Sequence, residues 1–166
     1  AAGEPPTTKG YTPSVFAMLP RLMERAGTSE KGSITAIYTV LVEGGDTDEP
    51  IADAARGILD GHVVLSRDLA ARNHYPCIEV GQSVSRLFGA ICSKAHQKVA
   101  GELREVLARY TEAEDLINIG AYVKGSNPKI DYAVDKIDAV NQFLRQATDE
   151  NIPFDDSVAQ IQQIFS

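Results

Sequence analysis

The sequence lacks the apolar run of about eighteen residues that a membrane-spanning helix needs. Its first residues also lack the basic segment and apolar segment of a signal peptide. Basic residues are in deficit: 16 Lys and Arg stand against 23 Asp and Glu, for a net charge of −7, and acidic residues outnumber basic ones in both halves of the chain. We therefore expect a protein that neither spans a membrane nor is secreted and whose surface does not bind nucleic acid.

Cysteine and histidine are equally scarce. Cys77 and Cys92 form no CxxC pair, and none of the three histidines has metal-ligand spacing to another. A structural zinc site and a disulfide framework are therefore not expected. One bridge between the two cysteines is geometrically feasible, but two free thiols are favoured for an intracellular protein.

Familiar catalytic motifs are missing as well. There is no GxSxG, no HExxH and no complete P-loop. Residues 27–34 have the glycine spacing of a P-loop, but Ser33 and Ile34 stand where Lys and Ser or Thr are required. The run also follows a predicted helix and precedes a predicted strand, the reverse of the P-loop order, so we interpret it as a helix-to-strand turn that does not bind phosphate.

The first half of the chain has an α/β pattern. Thr12 and Pro13 predict the start of an amphipathic helix that ends at Gly27, with a kink at Pro20. Residues 33–42 are β-branched and almost continuously apolar, which predicts a strand covered on both faces of a sheet. Shorter predicted elements follow: a helix at 51–57, a strand at 61–65, a helical turn at 68–72 capped by Ser66 and an extended segment at 75–78.

From about Ser93 the hydrophobic period becomes helical. It predicts one helix of six or seven turns, a second helix around residues 130–144 and a short third helix capped by Asp155 or Asp156. The link between the first two helices, residues 120–128, is a polar loop. The chain therefore divides near residue 90 into an α/β part and an all-helical part.

Several long motifs resemble one family. They are GEPPTTKGYTPSVF (3–16), LPRLMERAG (19–27), KGSITAIY (31–38), DEPIAD (48–53), LDGHVVLSR (59–67), LAARNHYP (69–76) and AEDLINIGAY (113–122). Together they resemble the part of flagellar and type III secretion export ATPases that follows the Walker B strand. The VLSR run at 64–67 is similar to catalytic β subunits of rotary ATP synthases, whereas GQSVSR at 81–86 is closer to their α subunits. That mixture suits a homohexamer, in which one chain supplies both halves of an interfacial site.

The resemblance implies a fold: residues 1–90 as the second half of a RecA-like P-loop ATPase domain, without Walker A and B, and residues 91–166 as a helical C-terminal domain. It also implies roles for four residues. Arg86 matches the arginine finger that reaches a neighbouring subunit's nucleotide, and Tyr11 matches the tyrosine that stacks on adenine, with Gly10 letting the loop come close. Phe154 is a candidate for the second adenine-pocket aromatic. The alternatives are a surface Arg86 that pairs with Glu79 and a Tyr11 that is only a hydrophobic residue at the edge of the following helix.

The resemblance further implies ATP and Mg as cofactors of the full-length protein, which would hydrolyse ATP to drive protein export. The chain alone is expected to bind neither and to be inactive, because the P-loop, the Mg-binding residues and the water-activating carboxylate would lie upstream. Implied partners are the other subunits of the homohexamer, export chaperones, the membrane export gate and a coiled-coil stalk protein. The stalk would meet residues 44–50 and 120–131, where Lys124 and Lys129 replace most of the acid found in β subunits. The implied location is cytoplasmic, at the export apparatus, with only peripheral membrane association.

Two other functions remain open. The helical domain alone is compatible with a module that docks chaperones, substrates or the stalk without nucleotide chemistry. A β subunit of a rotary ATP synthase is the second alternative, which the GQSVSR run and the missing acidic loop disfavour.

Overall fold

The structure, a computed structural model, describes residues 3–166. Ala1 and Ala2, which belong to the run without signal-peptide features, lie outside the described residues. The chain divides into two units, the first ending at His62 and the second comprising Val63–Ser166.

The first unit opens with a 3₁₀ turn at Thr8–Gly10 and helix α1, Pro13–Met23. Pro13 occupies the first helical turn as predicted, but Thr12 makes no side-chain cap. The predicted end at Gly27 is wrong. The Glu24 amide donates to the Pro20 carbonyl at 2.8 Å and closes the last turn, so the chain leaves the helix after Met23.

Residues 27–34 form a β-hairpin. Strand β1, Gly27–Ser29, pairs antiparallel with strand β2, Gly32–Ile34. Ser29 closes the turn, since its hydroxyl donates to the Gly32 carbonyl and accepts from the Lys31 amide, both at 3.3 Å. Gly32 has φ +146°, a region that favours glycine. The prediction of a helix-to-strand turn was therefore wrong, because six of these eight residues belong to two paired strands.

Residues 35–42 form no strand within the part of the chain that the structure describes. Their side chains nevertheless alternate between half-buried and exposed: Tyr38, Val40 and Val42 against Ile37, Thr39 and Leu41. The Tyr38 hydroxyl lies 3.3 Å from the Leu22 carbonyl, on the covered side. The prediction of a strand covered on both faces is wrong here, because only one face is partly covered and no neighbouring strand among residues 3–166 supplies a ladder.

A second 3₁₀ turn, Glu43–Gly45, leads to helix α2, Pro50–Ile58, and strand β3, Gly61–His62. The predicted helix at 51–57 is confirmed, whereas the predicted strand at 61–65 is limited to its first two residues. Helix α2 packs against α1. The apolar side chains buried here are few and mostly small: Met23, Ala52 and Ala55.

The second unit begins with short elements: helix α3, Arg67–Ala71, strand β4, Val84–Ser85, and helix α4, Phe88–Ile91. The Ser66 hydroxyl caps α3 by accepting from the Leu69 amide at 3.3 Å, as predicted. Leu65 and Ile78 form an antiparallel bridge. Cys77 and Cys92 are free and half-buried.

Three longer helices follow, as predicted: α5, Lys94–Asn118, α6, Pro128–Leu144, and α7, Phe154–Ile164. They enclose a core of Leu103, Val106, Ala133, Ile137, Val140 and Ile161. The predicted caps of α7, Asp155 and Asp156, are wrong. Pro153 is the cap residue, because its carbonyl already accepts from the Ser157 amide at 3.0 Å, so both aspartates lie inside the first turn.

Residues 74 and 75, which precede α4, contact the residues at the C-terminal end of α6. His74 is only 5% exposed. The Gln146 amide donates to the Tyr75 carbonyl at 2.9 Å. Burial lowers the pKa of His74, as does the nearby Arg145 charge, while a hydrogen bond to the Leu144 backbone and the charge of Glu79 oppose this. A neutral imidazole is therefore the preferred form in the folded protein.

Candidate functional site

The loop that carries Gly10 and Tyr11 is closed on itself. The backbone amide and the hydroxyl of Thr7 both donate to the Tyr11 carbonyl, at 2.7 and 2.9 Å. Lys9 and Gly10 both have left-handed backbones, with φ +50° and +82°. Glycine takes this conformation without steric cost, so Gly10 suits the tight turn before Tyr11.

Tyr11 is held at both ends of its side chain. Its hydroxyl donates to Oε1 of Glu49 at 2.7 Å, and its ring meets Phe16 edge-on with 6.2 Å between centroids. Glu49, which precedes α2, is only 8% exposed. The bond to Glu49 raises the pKa of Tyr11 more than any other contact does, so the neutral phenol is maintained at physiological pH.

A second contact joins the same two loops. The Lys9 ammonium and the Asp46 carboxylate lie 2.8 Å apart, and both side chains are about half exposed. Their hydrogen bond raises the pKa of Lys9 and lowers the pKa of Asp46. Residues 7–12 and 43–49 are therefore linked by one hydrogen bond to a buried carboxylate and by one exposed ion pair, which is worth little by itself.

Arg86 directly follows strand β4 and is exposed. The segment that leads to it is fixed at Ser83. The Ser83 hydroxyl donates to the Glu79 carbonyl at 2.7 Å. The backbone carbonyl of Ser83 accepts from the Arg104 guanidinium of α5 at 2.9 Å. Arg86 is thus an exposed residue that follows an anchored turn.

Phe154 lies at the start of α7 and is 69% exposed. It lines a pocket of about 460 Å³ whose walls are mostly apolar. His96 contacts Phe154 edge-on at 5.8 Å and Phe88 at 5.3 Å. Phe143 and Ser85 also line this pocket, so aromatic side chains from four helices line one space that suits a flat apolar group.

The four predicted site residues therefore fall into two groups. Gly10 and Tyr11 share one loop of the first unit. Phe154 lines a pocket of the second unit together with Ser85, the residue before Arg86.

Lys124, in the connection after α5, and Lys129, in the first turn of α6, both make ion pairs with helix side chains. Lys124 lies 3.0 Å from Asp135, which raises the pKa of Lys124, and Lys129 lies 3.8 Å from Glu105. All four side chains are more than half exposed. Ile119 and Val123, in the same connection, are 74% and 69% exposed. This end of the helical domain thus presents charged and apolar side chains together.

Each of the two groups has an aromatic surface of the kind that suits a flat base: the Tyr11 ring in the first unit and, separately, the Phe154 pocket in the second. Residues 27–34 form a hairpin and do not lead into a helix N-terminus, so they cannot cradle phosphates as a P-loop does. Within residues 3–166, no three His, Cys, Asp or Glu side chains are grouped so as to hold a metal ion.

The sequence did not reveal three residues that contact the candidate site residues or line their pocket: Glu49, Arg104 and Phe143. Glu49 stood in the DEPIAD motif, but its bond to Tyr11 spans 38 residues and no spacing rule predicts it. Arg104 and Phe143 lie on helices that were assigned only apolar stripes. The NQFL run that contains Phe143 precedes Phe154 by eleven positions, and only the packing of α6 on α7 brings both to one pocket.

An α/β segment with an aromatic loop, followed by a three-helix domain, indicates a class: part of a RecA-like nucleotide-binding domain joined to a helical domain. The nucleotide-binding domain of the ATP synthase alpha/beta family matches residues 1–85, and the T3SS EscN ATPase C-terminal domain matches residues 92–163. The chain belongs to the ATP synthase alpha/beta family and, within it, to the export ATPases of flagella and type III secretion systems.

Individual relatives agree with this assignment. The chain is 55% identical over all of its length to a type 3 secretion system ATPase of Sinorhizobium fredii, and 56% identical over 96% of its length to a flagellum-specific ATP synthase of Bacillus subtilis. It covers 37% and 36% of those proteins, so it spans about a third of the curated relatives it matches.

A solved structure shares the fold. The assembled ATPase EscN from the type III secretion system of enteropathogenic E. coli superposes with a TM-score of 0.96 at 41% identity, over 99% of this chain and 40% of EscN. EscN in complex with its central stalk EscO matches with a TM-score of 0.87 at 40% identity, over 99% of this chain and 39% of that one. The predicted family and fold class are thereby confirmed. None of the helices formed by residues 3–166 has the length and apolarity required to cross a membrane.

Proposed function

We propose that this chain is the C-terminal part of an ATPase that energises flagellar or type III protein export. Its residues would complete nucleotide sites formed between the subunits of a homohexamer. The observation that carries the proposal is the exposed Arg86 on a turn anchored through Ser83 to Glu79 and Arg104. The names of the relatives from Sinorhizobium and Bacillus support it.

Arg86 is the proposed arginine finger. Its guanidinium is planar and permanently charged, and five N–H groups allow it to stabilise negative charge that develops during phosphoryl transfer. Anchoring of the preceding turn by α5 reduces the entropy lost when the side chain reaches a neighbouring subunit. The net charge of −7 fits this role, because phosphate recognition would depend on a few placed groups and not on a basic surface.

Tyr11 and Phe154 are the proposed contacts for the adenine base. Stacking on an aromatic face uses the ring of Tyr11, while its hydroxyl stays engaged by Glu49. ATP and Mg are the proposed cofactors of the whole protein. The described residues offer no phosphate cradle and no metal cluster, so the chain alone is expected to bind ATP weakly and to hydrolyse none.

The test uses the whole protein assembled as hexamers. Arg86→Ala should lower ATP turnover by about 10³- to 10⁵-fold, the range found when arginine fingers are removed, with less effect on nucleotide affinity. Arg109→Ala is the matched control, because Arg109 pairs with Glu112 on the exposed face of α5. Unchanged turnover in the Arg86 variant, with hexamers intact, would refute the assignment.

We propose a domain boundary near residue 90. The ranges matched by the two families, 1–85 and 92–163, support it. Residues 63–90 nevertheless pack as part of the second unit, through contacts such as that of Gln146 with Tyr75. This segment would thus belong to the nucleotide-binding domain by family and to the helical unit by packing.

A coiled-coil stalk is the proposed partner of the loops at 44–50 and 120–131, as the solved complex of EscN with EscO suggests. A Lys124→Glu/Lys129→Glu variant should bind the stalk more weakly, since it reverses two exposed charges. Lys94→Glu/Lys98→Glu, on the opposite end of α5, is the control. Normal stalk binding by the first variant would contradict the proposal. The proposed location is the cytoplasmic face of the export apparatus, with peripheral membrane association and the export gate as a further partner.

A second candidate function is a docking module for export chaperones or substrates. The pocket lined by Phe88, Phe143 and Phe154 favours it, because such a pocket also suits an apolar side chain of a partner. Equilibrium binding of labelled ATP and of a purified chaperone to this chain distinguishes the two functions. Chaperone binding without ATP binding favours the docking module, whereas tight ATP binding would contradict the absence of a phosphate cradle. A homohexamer in intact-mass measurements of the whole protein would exclude a rotary β subunit.

A further inference from the structure

Ser83 is the point at which the turn before Arg86 is bound to the rest of the second unit. Its hydroxyl donates to the Glu79 carbonyl at 2.7 Å and accepts from the Val64 amide at 3.0 Å. Its backbone amide also donates to the Glu79 carbonyl, at 3.1 Å. The remaining polar group is the Ser83 carbonyl, which accepts from the Arg104 guanidinium at 2.9 Å. Every polar group of Ser83 is therefore engaged.

Three of these hydrogen bonds stay within the segment before α4, whereas the fourth comes from α5. Arg104 directly follows Leu103, a core residue that is 4% exposed. The backbone of Arg104 is therefore held in place by the packing of α5 against α6 and α7. The Arg104 side chain thus connects the core of the three helices to a carbonyl that lies only three positions before Arg86.

We propose that Arg104 is a positioning residue for ATP hydrolysis, which holds the turn that presents Arg86 to the nucleotide of a neighbouring subunit. This inference rests on the proposed arginine-finger role of Arg86. In this role Arg104 does not contact the nucleotide; it acts through the Ser83 carbonyl, to which its permanently charged guanidinium donates a charge-assisted hydrogen bond. An arginine finger stabilises charge that develops in the transition state, so its displacement lowers kcat and leaves the ground-state affinity for ATP almost unchanged.

The test is a double-mutant cycle of Arg104 and Arg86 in the whole protein assembled as hexamers. Arg104→Met keeps a long side chain but removes the donor. It should lower kcat by about three- to tenfold, as the loss of one hydrogen bond predicts, and should leave the Kd of a non-hydrolysable ATP analogue unchanged within about twofold. In the Arg86→Ala background the same change should lower the residual turnover no further, because no arginine finger is left to position.

Two further variants of Arg104 and one control complete the design. Arg104→Lys keeps a charged donor on a long side chain, so it should retain most of the turnover. Arg104→Gln favours a helix, but its shorter amide no longer reaches the Ser83 carbonyl. It should lose as much turnover as Arg104→Met, and it takes the place of that variant if Arg104→Met does not assemble. Arg109→Met removes a guanidinium from the same helix, where Arg109 pairs with Glu112, and should hydrolyse ATP normally.

The outcomes separate the inference from the proposed function. Normal kcat of Arg104→Met hexamers, or additive losses in the cycle, would overturn the inference and leave the role of Arg86 intact. A weakening of analogue binding that matches the loss of kcat would show that Arg104 supports the structure in general and would overturn the inference as well. Normal turnover by Arg86→Ala would refute the arginine finger itself, and the inference with it.

Discussion

The two units differ in how completely they bury their own apolar side chains. In the first, Ile37 and Leu41 are 94% and 89% exposed, and the buried apolar residues are Met23 and two alanines. In the second, Leu103, Val106 and Val140 are at most 4% exposed within a continuous core. The second unit therefore encloses a continuous core, whereas the first unit leaves the Ile37 and Leu41 side chains of residues 35–42 exposed.

The exposed face that carries Ile37 and Leu41 indicates where another surface would contact the first unit. Side chains that alternate with period two belong to a strand geometry, and exposed apolar side chains on one face favour contact with another surface. We expect other parts of the ATPase, or another subunit, to cover Ile37 and Leu41. The second unit also exposes apolar side chains, among them Ile119 and Val123, but its helices enclose a continuous core as well.

The largest expected effect is in hydrogen exchange of the isolated chain. Backbone amides in the core turns of α5 and α6 should exchange at least about 10³-fold more slowly than those of residues 35–42, because exchange from the helices requires unfolding of the packed unit. Measurement by mass spectrometry of peptides from both regions tests this. Comparable protection of residues 35–42 would break the comparison and would mean that this segment pairs, for example between two copies of the chain.

The next largest expected effect is the difference in stability between two leucine-to-alanine variants, one in the core and one exposed. Leu103→Ala removes a core side chain and should lower the free energy of unfolding by about 2 to 5 kcal/mol. Leu41→Ala, the matched exposed change, should alter it by less than about 0.5 kcal/mol. Urea titration followed by circular dichroism at 222 nm compares both with the unchanged chain. A large effect of Leu41→Ala would show that its side chain is buried in solution.

The success of sequence reasoning follows the same division. The long helices were predictable because their apolar stripes, such as Leu103 with Val106, repeat within one element and pack against each other. The conformation of residues 33–42 was not predictable in this way, since strand pairing depends on residues that are far away in sequence. The apolar composition of this segment indicated a strand covered on both faces, but in the structure only one face of residues 35–42 is partly covered.

The candidate site was predictable in part. The positions of Gly10, Tyr11 and Arg86 came from motifs, whereas Phe154 was a candidate outside the quoted motifs; the roles of all four remain predictions. The contacts that hold these residues could not be predicted from the sequence. Glu49 is 38 positions away from its partner Tyr11, and Arg104 is 21 positions away from its partner Ser83. Motifs locate groups that meet a ligand, whereas supporting side chains are found only when the fold is known.

Helix caps give a smaller, third effect. The Ser93 hydroxyl accepts from the His96 amide at 3.2 Å at the start of α5, whereas Thr12 makes no such bond at the start of α1. Ser93→Ala should therefore destabilise the second unit by about 1 kcal/mol, and Thr12→Ala should change stability much less. Thermal unfolding of both variants measures the difference. Equal losses would mean that Thr12 caps α1 in solution, which would make the helix starts of the two units alike.

The smallest expected effect is on the pH dependence of stability, and it tests where the second unit begins. Burial lowers the pKa of His74 below its ordinary value, although the Leu144 hydrogen bond and Glu79 partly offset this. The unfolded chain then binds a proton at a higher pH than the folded chain does. The contribution of His74 is therefore present above the ordinary histidine pKa of about 6.5 and is lost as the pH falls through the lowered value.

His74→Gln keeps a donor for the Leu144 carbonyl but has no proton to gain. The helical unit of this variant should lose less stability between about pH 7 and pH 5 than the unchanged protein does, where histidine titrates and most carboxylates do not. Urea titrations at several pH values, followed by helical circular dichroism, give the difference. If both proteins respond to pH alike, residues 63–90 do not unfold together with the helices, and the cooperative boundary lies nearer residue 90. A smaller acid loss in the variant would instead place that boundary at residue 63, because a group in the 63–90 segment would then control the stability of α5 and α6.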